Sequence, residues 1–344
     1  MSLSDQINSA ITTYLSQNPA VPGLILSAQY NGATIFCQGY GVIDENGTTP
    51  TTATTFQIDS LSKALTAFAV LRLYEQGSIK NITDTVGTYM TALPDCTGCN
   101  WNDSWNTIQI DQLLAMVSGI PDASSTKLTY LEILSNVAKQ QVTPPGVSYV
   151  YSDPNFFLLG ALINTILGNS AGNNFATYIQ EQVFSVFGMI NTGLTEQASA
   201  QDPALPYFNN AYTNWRNPNC GYSSGGFAST MADLEAFAIG MANGLVLQPS
   251  SYQLMWTNYI LTDGKQGPFG LGWDVTTNTD GAVTMVVKDG GGWGWSSSLA
   301  YSPAITASSI IPASASVLMN GTTAKAGSAN QLTKHVVSLI RNDQ

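Results

Sequence analysis

Charged residues are scarce in this sequence: they make up 10% of its 344 residues, where about a quarter is usual for soluble domains. The 11 Lys and Arg residues are outnumbered by 22 Asp and Glu residues, which gives a formal net charge of −11. An acidic chain with so few cations cannot follow a phosphate backbone, so we expect no nucleic-acid partner. The hydrophobic fraction of 44% nevertheless predicts a folded protein with a large core.

Histidine and cysteine are also rare, which limits metal and redox chemistry. The single histidine, His335, rules out zinc sites built from several histidines. The four cysteines, Cys37, Cys96, Cys99 and Cys220, allow three disulfide pairings. Cys96 and Cys99 have a spacing that also occurs in zinc and redox motifs, but we expect disulfides or unreactive thiols. We therefore predict no metal and no cofactor.

Long apolar runs are missing as well. None approaches the roughly 18 residues that a membrane-spanning helix needs, so we expect no membrane span. No signal peptide is visible at the start of the sequence. Low charge and four cysteines still favour an exported protein, and we expect a secreted or periplasmic location with the leader absent from this sequence.

Apolar periodicity predicts strands near both ends of the chain and helices in its middle. Two apolar runs around Asn31-Gly32 predict a β-hairpin, because a type I′ turn needs positive φ at both central residues. The remaining predicted elements are helices over 4–17, 60–76, 156–167 and 330–341, and strands over 271–276, 282–288, 297–301 and 316–319. Strands from both ends most simply share one sheet. We predict an α/β domain of residues 1–59 and 245–344, with an inserted, mainly helical domain of residues 60–244.

Lys63 is the most unusual residue of the predicted helix 60–76. Its neighbours are almost all apolar, and a lysine is rarely buried without a partner. Ser60 lies three residues earlier, on the same helical face and in the first turn, where free backbone N–H groups favour a developing anion. Desolvation would push the pKa of Lys63 down toward neutrality, so that it could take the proton of Ser60. The alternative is a helix-capping Ser60 and a Lys63 that reaches the surface.

Two further motifs occur downstream. Tyr151-Ser-Asp153 precedes an apolar helix, and Lys288-Asp-Gly290 ends an apolar strand. Together with Ser60-Leu-Ser-Lys63, their order and spacing resemble the three motifs of serine β-lactamases and penicillin-binding proteins. The surrounding sequence, over roughly residues 20–340, is similar to the branch with class C β-lactamases, D-alanyl-D-alanine carboxypeptidases and related esterases.

The resemblance implies a fold and a site. The fold would be of the β-lactamase/transpeptidase type (α+β): a mainly antiparallel sheet flanked by the N- and C-terminal helices, an inserted helical domain, and the active site in the cleft between the domains. Ser60 would attack a carbonyl and become acylated, assisted by Lys63 and Tyr151, and the backbone N–H groups of Ser60 and Gly291 would form the oxyanion hole. The residues expected to contact substrate are Asp153, Lys288, Asp289, Gly290 and Trp293.

Two residues depart from the pattern of that family. Asp153 occupies a position that more often holds Asn, and it is expected to pair with Lys63, which would keep the lysine charged and shift the role of base to Tyr151. Asp289 occupies a position that usually holds Thr or Ser, and its charge would repel a substrate carboxylate. Trp293 and Trp295 suggest either an aromatic wall of the cleft or core packing.

The predicted function is a serine hydrolase that forms an acyl-enzyme on a small-molecule or peptide substrate with an amide or ester bond. A D-alanyl-D-alanine carboxypeptidase, D-peptidase or β-lactamase-type amide hydrolase is the first hypothesis. A carboxylesterase using the same site and a non-catalytic member that binds ligand or peptidoglycan are the alternatives. The stretch Gly221–Gly225 with His335 matches a nucleophile elbow, but a polar loop rather than a strand precedes it, so this interpretation is disfavoured.

Overall fold

The computed structural model describes residues 1–94, 96–125, 127–170, 172–195, 203–213, 221–303, 311–321 and 328–343. Within these ranges Cys96 and Cys99 form a disulfide, and Cys37 carries a free, partly buried thiol. Cys220 lies outside them. In the same ranges, no cluster of side chains has the makeup of a metal site, and no helix is both long and apolar enough to cross a membrane.

Among the described residues, strands are concentrated near both ends of the chain and most helices lie between them. The strands are β1 (Gly23–Tyr30), β2 (Ala33–Gly41), β3 (Thr55–Gln57), β4 (Gly193–Leu194), β5 (Tyr207–Phe208), β6 (Ala211–Tyr212), β7 (Phe227–Thr230), β8 (Asp274–Thr277), β9 (Val283–Gly292), β10 (Trp295–Ser302) and β11 (Ala313–Asn320). The helices are α1 (Leu3–Gln17), α2 (Ser62–Glu75), α3 (Ile110–Leu114), α4 (Tyr130–Val137), α5 (Asp153–Leu167), α6 (Phe175–Ile179), α7 (Ser185–Phe187), α8 (Tyr222–Gly225), α9 (Met231–Ala242), α10 (Pro249–Met255) and α11 (Ser328–Asp343).

One antiparallel sheet joins the two ends of the chain. Its strand order is β2-β1-β11-β10-β9-β8, and the first and last strands of the sequence pair with Gly23 opposite Asn320. The predicted hairpin around Asn31-Gly32 forms between β1 and β2, with positive φ at both residues. The expected mixed fold with a mainly antiparallel sheet is confirmed. The domain boundaries after residues 59 and 244 stay a prediction.

Apolar cores cover both faces of this sheet. On one face, Ile7 and Ile11 of α1 and Val336 and Ile340 of α11 pack against strand residues such as Leu26. On the other face a larger core contains α2 and α5. A strand covered on both faces has no solvent-exposed side, which explains why almost every residue of β1 is buried.

Helix α2 runs through the larger core. Every residue from Ser62 to Leu71 is buried, so the helix has no exposed face in that stretch. Gly272, with a φ of +88°, turns the chain directly against Ala67, because a Cβ at this glycine would lie 2.7 Å from the Cβ of Ala67. This turn also explains why the strand predicted over 271–276 begins only at Asp274.

We expect Phe68→Ala to destabilise the protein by about 3–5 kcal/mol, the usual cost of removing a fully buried aromatic ring. Phe68 has no exposed surface and makes edge-to-face contacts with Phe187, Phe237 and Tyr252 at centroid distances of 5.3, 5.5 and 5.6 Å. Urea unfolding of the variant measures the loss. Val186→Ala, at a residue that is 47% exposed, is the control and should change stability by less than about 0.5 kcal/mol. Equal effects of the two substitutions would contradict this packing.

Candidate active site

Ser60 and Lys63 lie where a short 3-10 turn, Asp59–Leu61, runs directly into α2. Lys63 Nζ donates a hydrogen bond of 2.9 Å to Ser60 Oγ. The contact follows from the helical spacing, because residues three apart share one face. The Ser60 hydroxyl is therefore held at the amino end of a buried helix, where free backbone N–H groups and the helix dipole favour negative charge.

Lys63 has no exposed surface, and its ammonium group donates hydrogen bonds to three segments of the chain. Besides Ser60, it donates to Asp153 Oδ1 at 2.6 Å and to the backbone oxygen of Ser224 at 3.1 Å. An ammonium has three N–H donors, so each donor has an acceptor. This arrangement accounts for the burial of a lysine inside an apolar helix.

The expectation that burial would drive the pKa of Lys63 toward neutrality is wrong. Burial does disfavour the ammonium, but the nearby Asp153 carboxylate and the Tyr151 phenol outweigh it and raise the pKa of Lys63 above its ordinary value. The ion pair expected between Asp153 and Lys63 is present. Lys63 is therefore held as an ammonium in the free protein.

Asp153 begins α5 and receives hydrogen bonds at its carboxylate from two sides. Lys63 Nζ is one donor and Ser224 Oγ, at 2.7 Å, is the other. Burial opposes ionisation of Asp153, but these partners hold its pKa below the ordinary value. Its backbone N–H donates to Asp122 Oδ1 at 2.9 Å, which fixes the start of the helix.

Tyr151 lies between two ammonium groups. Its ring centroid is 5.0 Å from Lys63 Nζ and 5.3 Å from Lys288 Nζ. The side chain remains 37% exposed, whereas the two lysines that approach it are buried. Two positive charges thus lie close to the ring of Tyr151.

Lys288 comes from the other half of the site, near the end of β9. It is 1% exposed, and its Nζ lies 3.7 Å from Asp289 Oδ1 and 5.6 Å from the ring centroid of Phe269. The charge of Lys288 thus already has a neighbouring carboxylate. A substrate carboxylate approaching this lysine would meet the negative charge of Asp289.

The glycine-rich end of β9 packs directly on the backbone that precedes Ser60. A Cβ at Gly290 would lie 2.1 Å from the oxygen of Ile58 and 2.8 Å from the nitrogen of Ser60. At Gly291 the nearest atom to an added Cβ is 3.8 Å away. The close approach at Gly290 brings the strand end and the Ser60 backbone to the same side of the cleft.

A cleft of about 460 Å³ opens beside Ser60. The residues that line this cleft include Asp59, Asp153, Gly291 and Trp293. Trp293 and Trp295, for which the sequence suggested either a cleft wall or core packing, differ in their exposure to solvent. Trp293 is 53% exposed at the cleft, whereas Trp295 is buried against Phe56 with centroids 6.2 Å apart.

Sequence reasoning missed three residues of this site: Ser224, Asp122 and Asp59. Ser224 lies within the Gly221–Gly225 stretch, which the sequence shows only as a nucleophile-elbow match. Asp59, directly before Ser60, has a φ of +44°, unusual for a residue other than glycine. The signal available in the sequence for Asp59 was its position next to Ser60, the predicted nucleophile.

The nucleophile-elbow interpretation of Gly221–Gly225 has no support in the geometry. Its central Ser223 has no exposed surface, and its Oγ donates to the backbone oxygen of Phe156 at 2.8 Å. His335 lies on α11, which covers the opposite face of the sheet from α2. Ser223 and His335 therefore do not form a catalytic pair.

Comparison with known proteins identifies relatives of the chain. A family model described as Beta-lactamase matches residues 10–338. Protein flp of Staphylococcus aureus (strain MW2) is 31% identical over 163 residues, which cover 45% of this chain and 32% of that protein. The matched stretch thus spans about a third of the length of this curated relative.

Solved structures share the fold at low sequence identity. The octameric penicillin-binding protein homologue from Pyrococcus abyssi has a TM-score of 0.80 at 20% identity, covering 98% of this chain and 77% of that chain. A class C beta-lactamase has a TM-score of 0.77 at 17% identity, covering 98% of this chain and 97% of that chain. These likenesses confirm the expected fold class.

We expect Gly290→Ala to destabilise the protein by about 1–3 kcal/mol, the range for forcing an extra methyl into a packed site. The added Cβ would clash with backbone atoms of Ile58 and Ser60, which cannot move aside like a side chain. Gly291→Ala is the matched control, because its Cβ would meet only ordinary contacts. Thermal unfolding of the two variants compares them, and an equal or larger loss for Gly291→Ala would contradict this packing.

Proposed function

The chain belongs to the beta-lactamase family, and on that premise we propose that it is a serine hydrolase that forms an acyl-enzyme on Ser60. The observation that carries this proposal is the contact of 2.9 Å between Lys63 Nζ and Ser60 Oγ, made by a lysine without exposed surface. A buried ammonium beside a serine at a helix start stabilises the alkoxide that attacks a carbonyl.

Tyr151 is the proposed base. Because Asp153 holds Lys63 as an ammonium, the lysine positions and stabilises Ser60 Oγ rather than removing its proton. Tyr151 in its phenolate form, with its ring centroid 5.0 Å from Lys63 Nζ and 5.3 Å from Lys288 Nζ, takes the proton as Ser60 attacks the carbonyl carbon. The tyrosine then gives that proton to the leaving group, and in the second half-reaction it takes a proton from the water that releases the acyl group.

The backbone N–H groups of Ser60 and Gly291 are the proposed oxyanion hole. The packing of Gly290 on the Ile58–Ser60 backbone supports this role, because it joins the strand end to the nucleophile segment. Loss of one such donor typically raises a barrier by about 2.7–4 kcal/mol.

For the substrate we propose a carboxylic ester, or an amide without a carboxylate on the leaving-group side. Asp289 Oδ1 lies 3.7 Å from Lys288 Nζ, so it offsets the charge that would attract a substrate carboxylate. The second candidate is a D-alanyl-D-alanine carboxypeptidase, D-peptidase or β-lactamase-type amide hydrolase. It is favoured by the buried position of Lys288 beside Tyr151.

The cleft volume of about 460 Å³ supports a small molecule or short peptide as the substrate. The further residues proposed to contact the substrate or to shape its binding site are Asp153, Asp289, Gly290 and Trp293. Secretion or a periplasmic location stays a prediction.

We expect a short p-nitrophenyl ester to leave an acyl mass on Ser60, detected by intact-protein and peptide mass spectrometry. A chromogenic cephalosporin and a D-alanyl-D-alanine peptide, tested in parallel, separate the ester and amide candidates by their acylation rates. Ser60→Ala should abolish acylation. Ser62→Ala is the control, because Ser62 Oγ is buried and accepts from the backbone nitrogen of Phe227. If none of the three compounds acylates Ser60, a non-catalytic binding protein is the better interpretation.

We expect Lys63→Ala and Tyr151→Phe each to slow acylation by at least about 10²-fold, the lower range for lost acid–base assistance. Stopped-flow release of p-nitrophenolate measures the acylation burst. Tyr149→Phe is the matched control, because this neighbouring tyrosine packs against Phe269 at a centroid distance of 5.6 Å. A Lys63→Ala burst at the wild-type rate would remove the lysine from the mechanism, and the same result for Tyr151→Phe would remove the tyrosine.

A further inference from the structure

Asp153 is the carboxylate that borders both the buried ammonium of Lys63 and the open cleft. It lines the cleft beside Ser60, and 27% of its side chain is exposed, whereas the side chain of Lys63 has no exposed surface. What the exposed part of this carboxylate offers to a substrate depends on how its two oxygens are already used.

The two oxygens of the Asp153 carboxylate are used unequally. Oδ1 accepts from Lys63 Nζ at 2.6 Å and from Ser224 Oγ at 2.7 Å, which fills the two acceptor positions of one carboxylate oxygen. No described residue donates to Oδ2, and this oxygen, unlike Asp59 Oδ2, is not enclosed by the protein. Asp153 thus presents one open acceptor to the cleft.

The direction of Oδ2 is fixed by the partners of the rest of the residue. The two donors to Oδ1 come from different helices, α2 and α8, and the backbone N–H of Asp153 donates to Asp122 Oδ1 at 2.9 Å. A carboxylate held in this way cannot turn without breaking hydrogen bonds. The open oxygen is therefore in place before a substrate arrives, which lowers the entropy cost of binding.

The chemistry around Oδ2 selects a hydrogen-bond donor without charge. Burial opposes ionisation, but Lys63 and Ser224 hold the pKa of Asp153 below its ordinary value, so the carboxylate is ionised and only accepts hydrogen bonds. A carbonyl or ether oxygen of a substrate finds no partner here. A substrate ammonium would be repelled by the ammonium of Lys63, which already balances this carboxylate. A hydroxyl or an amide N–H meets both conditions.

The open acceptor lies close to the bond that would be cleaved. Ser60 Oγ and Asp153 Oδ1 share Lys63 Nζ as their donor, at 2.9 and 2.6 Å, so the two oxygens lie within about 6 Å of each other. A donor that reaches Oδ2 while Ser60 attacks must therefore be only a few bonds from the substrate carbonyl.

We infer that Asp153 Oδ2 accepts a hydrogen bond from a hydroxyl or amide N–H that the substrate carries within a few bonds of its scissile carbonyl. This inference rests on the proposed acyl-enzyme function and narrows its substrates to esters or amides with such a donor. A substrate donor replaces the hydration of this oxygen, whereas an ether in the same place removes that hydration without replacing its hydrogen bond. Sites built to bind a hydroxyl discriminate strongly against analogues that lack it.

The test compares two pairs of esters in which a hydroxyl is replaced by a methoxy group. The first pair, p-nitrophenyl 3-hydroxybutanoate and 3-methoxybutanoate, carries the group on the acyl side. The second pair, 2-hydroxyethyl and 2-methoxyethyl butanoate, carries it on the alcohol side. Each kcat/KM is divided by the rate constant for hydrolysis of the same ester by hydroxide. We expect the wild type to favour the hydroxy ester by at least about tenfold in one pair, the lower end for a hydrogen bond to a charged group.

Asp153→Asn separates the hydrogen bond from the steric effect of the extra methyl group. Lys63 and Ser224 both donate at the Oδ1 position, so the amide oxygen occupies that position and the amide N–H₂ group faces the cleft. This group donates to a hydroxyl and to an ether alike, so the preference for the hydroxy ester should be lost. A ratio of two rates is unaffected by a folding defect or by the lost ion pair, because both lower the two rates together.

Asp153→Ala is the second variant, and it should lose the preference as well because it offers no hydrogen bond. Asp59→Asn is the matched control. Asp59 is also a carboxyl in the cleft lining, but its Oδ2 is buried, and asparagine tolerates the positive φ of this position. This control should keep the wild-type ratio.

Each result leads to one conclusion. A preference in either pair that both Asp153 variants lose supports the inference, and the pair that shows it identifies the side of the carbonyl that carries the donor. If Ser60 is acylated but neither pair shows the preference, or if Asp153→Asn and Asp153→Ala keep it, the donor site is wrong while the hydrolase function holds. If no ester leaves an acyl mass on Ser60, the hydrolase function fails and the donor site fails with it.

Discussion

The site depends on the burial of one ammonium group. Lys63 is enclosed by the protein, and an enclosed ammonium is tolerated only when its three donors are satisfied. Its acceptors come from the turn before α2, the start of α5 and the short helix α8, at Ser60, Asp153 and Ser224. These three segments are far apart in sequence, so the hydrogen bonds of Lys63 hold together the parts of the chain that surround Ser60.

The fold places these segments against the sheet. α2 is buried all round and lies in the core on one sheet face, while α1 and α11 cover the other face. The end of β9 reaches the backbone of Ser60 because Gly290 has no side chain to separate it from Ile58 and Ser60. The sheet, covered on both faces, thus carries Lys288 and the glycine-rich end of β9. The helical region carries Ser60, Tyr151 and Asp153.

The local parts of this arrangement were predictable from the sequence, and the non-local parts were not. The pairing of Ser60 with Lys63 follows from helical spacing, whereas the convergence of Tyr151 and Lys288 on them was expected only from the resemblance to a family. The helix alone predicts a lowered pKa of Lys63, which is wrong, because it shows only the desolvation of the amine. The pairing with Asp153 that keeps the lysine charged was expected only from the resemblance to a family. Ser224 was missed because its hydrogen bonds to Lys63 and Asp153 exist only in the folded chain.

The distribution of carboxylates along the cleft connects the structure to its substrates. Asp153 is neutralised by Lys63, and Asp289 lies close enough to Lys288 to reduce the pull of that lysine on an anion. Asp59 differs from both, since its Oδ2 is buried and has no hydrogen-bond partner among the described residues. A substrate with a carboxylate would add negative charge to a cleft that already contains these carboxylates, whereas an ester with a neutral leaving group would add none. The carboxylates along the cleft therefore favour substrates that bring no further negative charge to it.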